Sequence, residues 1–458
     1  MRLVRIMEKH GMPLVLLLVG IAAGIFLAGH WVPSVSAVSR QDYESLETFT
    51  NILSIVKKNY VEEVDTKNLV SGAINGMLNG LDPHSAYLTP DLYKELQMDT
   101  QGRFGGLGIE ITVKGGILTV VSPIEDTPAA KAGVKPGDQI FKIDEEFTKD
   151  MTLVDAVKKM RGPKGTKITI SIKREGVPEL MDFTLVRDTI RVQAVRSRSL
   201  EEGYGYVRLA QFQERSDRDV QRALEKMAAE KSGIKGLVLD LRNNPGGLLT
   251  QAVRVADLFL DSGLIVYTEG RIESQKQKYS AQKEGSWMDF PIVVLVNGGS
   301  ASASEIVAGA LQDHKRAVVL GTKTFGKGSV QTILPLDDNS ALRLTTARYF
   351  TPKGRSIQAL GIVPDIIIEP PTTPLAEGKT EEKKRLGLRE ENLPGHLPNP
   401  QQAPSQPQDH GEKDKEKLVP RTAPTGDETI DNDAQLKRAL DLLKSWDVFK
   451  QLVQKKAA

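Results

Sequence analysis

The chain has 458 residues, a formal net charge of +2 and no cysteine. This length is enough for two or three domains, and the near-neutral charge gives no sign of a nucleic-acid or strongly acidic partner. Disulfides, thiol nucleophiles and cysteine-ligated metals are excluded, and the six histidines form no paired metal motif. The composition therefore predicts a globular protein and implies no metal or other cofactor.

Residues 1–37 have the layout of an export signal. Basic residues precede an apolar run from Met12 to Ala28, and Val35-Ser36-Ala37 supplies small residues. This arrangement is typical of a secretory signal, and the run is at the short limit of a membrane span. We predict that the rest of the chain is exported to the cell envelope or periplasm, with residues 1–37 either cleaved off or retained as an inner-membrane anchor.

Residues 38–100 are predicted to form a helical domain. Apolar residues recur at spacings of three and four between Leu46 and Val56, and residues 69–78 contain a second apolar run. Asp82 and His84 lie in Asp-Pro-His-Ser, which is a turn signal. We therefore assign these two residues structural roles in a turn rather than the roles of a catalytic pair.

Residues 101–187 have the short alternating strands of a PDZ module. Leu107, Gly108 and Ile109 lead into the first strand, and an amphipathic helix ends near Arg161. In such a module an extended peptide adds a strand beside residues 109–111, and the amides of Leu107 to Ile109 capture its terminal carboxylate. Arg161 is either a solvated cation at the helix end or a residue that couples tail binding to a catalytic site.

Residues 188–369 alternate between buried strands and amphipathic helices. This alternation predicts βαβ units around a mainly parallel sheet, hence an α/β core. Sites in such sheets lie beyond the carboxyl ends of the strands. Gly246-Gly247, Ser302 and Lys327 all follow predicted strand ends, so one crevice could hold them together.

Ser302 occupies the turn between a buried strand at 292–296 and a helix that follows. Amide donors and the positive end of the helix dipole collect at such a turn, which suits a developing oxyanion. A serine nucleophile needs a base, and a desolvated Lys327 can serve because burial lowers a lysine pKa. Gln331 comes four residues later, so on a helical turn it would share a face with Lys327 and could orient its amine.

The segments GSASASE, TFGKGSVQ and DLRNNPGG resemble motifs of the carboxyl-terminal processing (tail-specific) peptidases. These peptidases are PDZ-containing serine proteases with a Ser-Lys dyad. The resemblance implies that Ser302 is the nucleophile, Lys327 the general base and Gln331 its support. It assigns the oxyanion hole to the amide of Ala303 and to the Gly246-Gly247 loop.

The same resemblance implies a multi-domain α/β fold. Its parts would be a crotonase-like, ClpP-like protease core, an inserted PDZ domain and an N-terminal helical segment that packs on the core and can pair subunits. We therefore expect an exported serine endopeptidase that recognises the carboxyl-terminal tails of protein or peptide substrates.

Several alternatives are weighed against this interpretation. The Gly-Ser-Ala stretch could be a flexible linker. Gly321 to Lys327 nearly fits a P-loop, but Gly328 stands where that motif needs Ser or Thr. His314 could be a triad base, although a solvated position at a helix end suits it better. The whole chain could be a non-catalytic PDZ scaffold of the envelope, or a crotonase-like acyl-CoA enzyme, which would explain neither the export signal nor Lys327.

The carboxyl-terminal part changes composition twice. Residues 370–432 are rich in Pro, Gln, Glu and Lys, which predicts a disordered charged linker. Residues 433–458 then predict a helix with Leu436, Leu440, Leu443 and Trp446 on one face. This helix could dock on the N-terminal helices or on a second subunit, so we expect a homo-oligomer formed through the N- and C-terminal helices.

Overall fold

The computed structural model describes residues 40–149, 151–369, 389–401 and 433–457. They divide into two compact units between Ile74 and Asn75. The predicted signal at residues 1–37 lies outside the described part. Within that part, no helix is both long and apolar enough to cross a membrane.

Two helices begin the described chain, α1 (Arg40–Asn59) and α2 (Thr66–Asn79). Helix α1 buries none of its residues. Its apolar side chains are therefore exposed, among them Leu46, Phe49 and Ile52. The helical prediction for this region is confirmed, and α1 buries none of its apolar residues among the parts of the chain that the structure describes.

A small antiparallel module follows the segment formed by β1 (Ala86–Leu88) and α3 (Pro90–Gln101). Its elements are β2 (Arg103–Gly106), β3 (Ile109–Lys114), β4 (Ile117–Pro123), α4 (Pro128–Lys131), β5 (Gln139–Ile143), β6 (Glu146–Phe147), α5 (Leu153–Met160), β7 (Lys167–Lys173), β8 (Met181–Val186) and β9 (Asp188–Arg191). The main sheet has the order β3-β4-β5-β7-β8, and β2 pairs with β9. Strand β3 is thus an edge strand, with one side open to a further strand.

The module has its own hydrophobic core because its strands alternate. Ile140, Ile170 and Ile172 are completely buried between the sheet and α5. Thr152 caps α5 with a reciprocal pair of bonds to Asp155, and these fix where the helix begins.

The remaining elements form an α/β core. They are β10 (Val195–Glu201), β11 (Tyr204–Leu209), α6 (Ser216–Ala228), β12 (Gly236–Asp240), α7 (Leu249–Asp257), β13 (Leu264–Gly270), the 3-10 helix η1 (Glu273–Gln275), β14 (Gln277–Ser280), β15 (Ile292–Val296), α8 (Ala303–Asp313), β16 (Ala317–Gly321), β17 (Ser329–Pro335), β18 (Ala341–Phe350), β19 (Ile366–Ile367), the 3-10 helix η2 (Glu390–Asn392) and α9 (Ala434–Ala457).

The central sheet has the order β10-β11-β12-β15-β16-β19. Its pairs are parallel from β11 to β19, and β10 joins antiparallel, which confirms the mainly parallel sheet. A second, antiparallel sheet has the order β1-β18-β13-β14, with β17 paired to β18. Every residue of β12 and β15 is buried, because helices cover both faces of the central sheet.

The two faces of β12 are covered by different helices. Leu237 and Leu239 pack toward the cluster formed with α6, α7 and α8. Val238 packs on the opposite face against Leu440 and Leu443 of α9. Helix α9, which was predicted to dock on the N-terminal helices or on a second subunit, packs on the central sheet through these residues. Trp446 stays 59% exposed, so it does not join the buried face that the sequence predicted for it.

Residues 389–401 lie inside the stretch predicted to be a disordered linker, and for them that prediction is wrong. They contain η2 and a fully buried Glu390. Asn399 donates to the carbonyl oxygen of Gln358 at 2.7 Å. We call these residues the 389–401 segment. The other predicted linker residues, 370–388 and 402–432, lie outside the described part.

Candidate active site

Ser302 sits in a strained bend between β15 and α8. Its backbone has φ 56° and ψ −114°, a conformation that costs about 1–3 kcal/mol for a residue with a side chain. The surrounding loop enforces it. Ser300 donates its hydroxyl to the carbonyl oxygen of Leu241 at 2.8 Å, and Ala301 N donates to Asn244 O at 3.0 Å. The serine predicted as nucleophile is therefore held at the N-terminus of a helix.

Glu305 connects the loop of Ser302 to the loop of Lys327. Its fully buried carboxylate accepts the amide of Ser302 at 2.7 Å and the amide of Lys327 at 3.0 Å. It also accepts the amide of Gly326 at 2.7 Å and the hydroxyl of Thr324 at 2.5 Å. Burial raises the pKa of Glu305 to about 7, although these four donors pull it down. One carboxyl group thus fixes the two loops relative to each other.

Lys327 is in an environment that favours a neutral amine. Burial lowers its pKa, and the charge of Arg343 lowers it further, whereas Glu390, Glu305 and Asp82 oppose this shift. A lysine needs such a lowered pKa to accept a proton near neutral pH.

Tyr349 lies between the two predicted catalytic residues. Its hydroxyl donates to the carbonyl oxygen of Lys327, and the nearby Ser302 side chain acts to lower the pKa of Tyr349. Burial raises the pKa of Tyr349 well above its ordinary value, so this hydroxyl stays protonated. Tyr349 thus contacts the lysine loop and lies near the side chain of Ser302.

One cavity of about 520 Å³ brings the predicted site residues together. Ser302, Ala303, Lys327, Gln331 and Gly247 all line it. Phe212 and residues of α3 contribute apolar walls. The proximity that the sequence could only suggest from strand ends is therefore present in the folded chain.

The two glycines of the predicted oxyanion loop differ in their surroundings. Gly246 N donates to the side-chain oxygen of Asn244 at 2.9 Å, so its amide is already occupied. Gly247, with φ 138°, lines the cavity whereas Gly246 does not. Gly247 and Ala303 are therefore the better pair of candidate donors. Gly246 instead allows a close approach, because a Cβ there would lie 2.8 Å from Ser302 Cβ.

The helical turn expected for Gln331 is absent, because Gln331 belongs to strand β17. Its side-chain amide donates to the Ser329 hydroxyl at 3.0 Å and, at 3.4 Å, to that of Thr345. A strand rather than a long helix after Lys327 also removes the structural context that a P-loop requires.

The histidines considered from the sequence take structural positions. His314 caps α8, and its ring nitrogen Nε2 lies 2.7 Å from the carbonyl oxygen of Leu264. It does not line the cavity and is partly buried rather than solvated. Asp82 accepts the amides of His84 and Ser85 at 2.8 and 2.9 Å, as expected of a turn.

The residues predicted to bind a peptide tail surround the start of edge strand β3. Leu107 is buried, and Ile109 is the first residue of β3. Gly108 has φ 76° and a Cβ there would clash with Thr127, so this turn requires glycine. Arg161 lies at the end of α5, over the ring of Phe104 at 4.6 Å and 3.8 Å from a carboxylate oxygen of Glu95 on α3.

Sequence reasoning missed two residues of the site, Glu305 and Tyr349. Glu305 follows Ser302 by three residues, which fits a Ser-x-x-Glu capping box, so a local signal for it existed. Tyr349 comes from β18 and gives no such signal. In the described part of the chain, no group of three or more His, Asp or Glu side chains could hold a metal ion.

Comparison with known proteins places these observations in a family. Residues 203–368 match the model of peptidase family S41, residues 105–185 the PDZ domain model, and residues 27–91 a model described as the activating protease CtpB N-terminal domain.

Individual relatives extend over most of the chain. It is 48% identical to a carboxy-terminal-processing protease of Bartonella bacilliformis over 83% of this chain and 88% of that protein. It is 39% identical to the carboxy-terminal processing protease CtpA of Bacillus subtilis over 69% of this chain and 67% of that protein. The solved structure of a photosystem II D1 C-terminal processing protease matches at 32% identity and a TM-score of 0.42, over 74% of this chain and 95% of that one. The chain therefore belongs to the family of carboxy-terminal processing proteases.

Proposed function

We propose that this protein is a serine endopeptidase that binds the carboxyl-terminal tails of proteins and cleaves them with Ser302 and Lys327. The observation that carries the proposal is that Glu305 links the loops of Ser302 and Lys327 by hydrogen bonds. A serine in a strained bend and a lysine with a lowered pKa line one cavity, and one buried carboxylate accepts the backbone amides of both. Nothing in a binding scaffold requires that arrangement.

The first chemical step follows from this geometry. The Ser302 hydroxyl gives its proton to the neutral amine of Lys327 as the oxygen attacks the peptide carbonyl. The oxyanion that forms accepts hydrogen bonds from the amides of Gly247 and Ala303. Lys327 then returns the proton to the leaving amine, and water hydrolyses the acyl-enzyme.

Substrate selection is assigned to the PDZ domain. An extended tail would pair with the free edge of β3, and the amides of Leu107 to Ile109 would receive its carboxylate. Arg161 could report this binding, because it approaches Glu95 of α3 and the same helix lines the cavity through Tyr93 and Leu96. If Arg161→Ala left both substrate affinity and turnover unchanged, this coupling role would be wrong.

We further infer export, with residues 1–37 serving as a cleaved signal or as a membrane anchor. Fractionation of cells that produce the full chain, followed by N-terminal sequencing, distinguishes the two.

We also infer self-association through α1, whose exposed Leu46, Phe49 and Ile52 form an apolar stripe at helical spacing. Multi-angle light scattering of the parent and of a Phe49→Lys variant tests it. An unchanged mass would exclude this surface.

Cleavage of an unfolded protein with an apolar tail tests the central proposal. Ser302→Ala and Lys327→Ala should each abolish turnover. Ser262→Ala and Lys315→Ala are matched controls on exposed residues and should cleave at the parent's rate. A parent that binds tails but cuts none would instead identify a scaffold, and cleavage by Lys327→Ala at the parent's rate would refute the dyad.

A further inference from the structure

The 389–401 segment closes against the loop that carries Lys327. Glu390 N donates to the carbonyl oxygen of Phe325 at 3.1 Å. A second contact joins Glu391 to Lys323 at 3.5 Å. The segment is therefore attached to the lysine loop on its N-terminal side, although more than sixty residues separate them in the sequence.

The side chain of Glu390 reaches the other side of the same loop. Its carboxylate accepts the side-chain amide of Gln358 at 2.8 Å, and the Gln358 oxygen accepts the amide of Gly328 at 3.0 Å. Gly328 directly follows Lys327. Phe325 and Gly328, which bracket Gly326 and Lys327, are thus both held through Glu390.

The carboxylate of Glu390 is fully buried and is paired with a histidine ring. Nε2 of His84 lies 2.8 and 3.0 Å from its two oxygens. Burying a carboxylate is costly unless it is paired and hydrogen-bonded. Two apolar residues could make a purely structural contact at lower cost. A buried carboxylate that acts on Lys327 therefore suggests a role for its charge.

We propose that Glu390 is a positioning residue for Lys327: it fixes residues 325–328, and its charge acts on the lysine amine. This inference rests on the proposed role of Lys327 as general base. It assigns the carboxyl-terminal 389–401 segment to the catalytic machinery, whereas its composition indicated only a linker.

The charge has a consequence that packing alone does not have. The groups that act on Lys327 are Arg343 from β18, which lowers its pKa, and Glu390, Glu305 and Asp82, which raise it. The hydroxyl of Tyr349 contacts the backbone oxygen of Lys327, and the ring of His84 contacts the carboxylate of Glu390. Removing the negative charge of Glu390 lowers the pKa of Lys327 further. Because the neutral amine is the active form, the rising limb of the pH–rate profile then moves to lower pH.

The experiment compares full-length parent and variants on a peptide without ionisable side chains, with kcat/KM measured from pH 5 to 10. Glu390→Gln keeps the shape and should move the midpoint of the rising limb down by about one pH unit. Glu390→Ala also frees the loop and should lower kcat at least tenfold with KM within twofold. Asp138→Asn is the matched control, because Asp138 is equally buried and paired with Arg174 at 2.8 Å in the PDZ sheet. It should keep the parent's midpoint.

A Glu390→Gln midpoint equal to those of the parent and of Asp138→Asn would overturn the proposal, and this variant decides even if Glu390→Ala fails to fold. The two proposals fail differently. Cleavage by Lys327→Ala at the parent's rate would remove the dyad and with it the role of Glu390. An inactive Lys327→Ala together with an unshifted Glu390→Gln would remove the role of Glu390 alone.

Discussion

Gly246 tests how tightly the loops around Ser302 are packed. Its backbone has φ 103°, and a Cβ at this position would lie 2.8 Å from both Ala301 O and Ser302 Cβ and 3.0 Å from Ala303 N. Real Cβ atoms do not approach other atoms so closely, so Gly246→Ala must displace the bend that holds the nucleophile. Gly246→Ala keeps the backbone N–H of this residue. Any loss of activity therefore reports the change in packing and not the loss of a hydrogen-bond donor.

The expected magnitude has two parts. An alanine in the left-handed region costs about 1–2 kcal/mol, and overpacking of a close-packed site adds about 1–3 kcal/mol. We therefore expect Gly246→Ala to lower the free energy of unfolding by about 2–5 kcal/mol. Displacing Ser302 by up to about 1 Å should lower kcat/KM by about a hundredfold.

Gly233 provides the matched control. It has φ 59° and no atom within 4 Å of an added Cβ, so Gly233→Ala carries only the conformational cost of about 1–2 kcal/mol. Urea unfolding gives the stabilities, and hydrolysis of a fluorogenic peptide gives kcat/KM. A Gly246→Ala enzyme with the parent's kcat/KM and the stability of Gly233→Ala would refute the close packing inferred here.

Three further predictions concern other parts of the chain. Burial lowers the pKa of Lys327, so at pH 7 the unfolded chain binds more protons at this residue than the folded chain does. We therefore expect Lys327→Met to have a higher free energy of unfolding in urea than the parent at pH 7. This difference should disappear as the pH approaches 10. In the parent, the two carboxylate oxygens of Glu305 accept four hydrogen bonds. Glu305→Gln replaces one of these oxygens by an NH₂ group, which cannot accept the two bonds made there. We therefore expect kcat to fall at least tenfold in the same peptide assay. An unchanged kcat would contradict the bridging role. Leu440→Ala should cost about 2–5 kcal/mol in urea unfolding, because Leu440 is 4% exposed on the buried side of α9, whereas Trp446→Ala, on the exposed side of the same helix, should cost under about 1 kcal/mol.

The sequence was most informative where local pattern and position agree. The strand Ile292–Val296 and the helix Ala303–Asp313 follow from an apolar run, a glycine turn and helical periodicity. These features alone place Ser302 at a helix N-terminus. The parallel sheet follows in the same way from alternating strands and helices, because such units pack only in a few arrangements.

What the sequence did not predict depends on contacts between distant residues. Gln331 was expected on a helical turn, but pairing with β18 makes it part of a strand. Glu390 lies in a polar stretch whose composition favours disorder, yet it is fully buried and contacts His84, which lies 306 residues away. Composition cannot reveal a partner at that separation, and the same holds for Tyr349 at the carbonyl oxygen of Lys327.

The catalytic pairing of Ser302 with Lys327 is tested most directly by a crystal structure of the protein with a peptidyl boronate bound in the cavity. It predicts a covalent bond from boron to Ser302 Oγ, with Lys327 Nζ within about 3.2 Å of that oxygen. A boronate hydroxyl should lie within about 3.1 Å of the amides of Gly247 and Ala303. Boron bound to another residue, or a Lys327 amine turned away from the Ser302 oxygen, would contradict it.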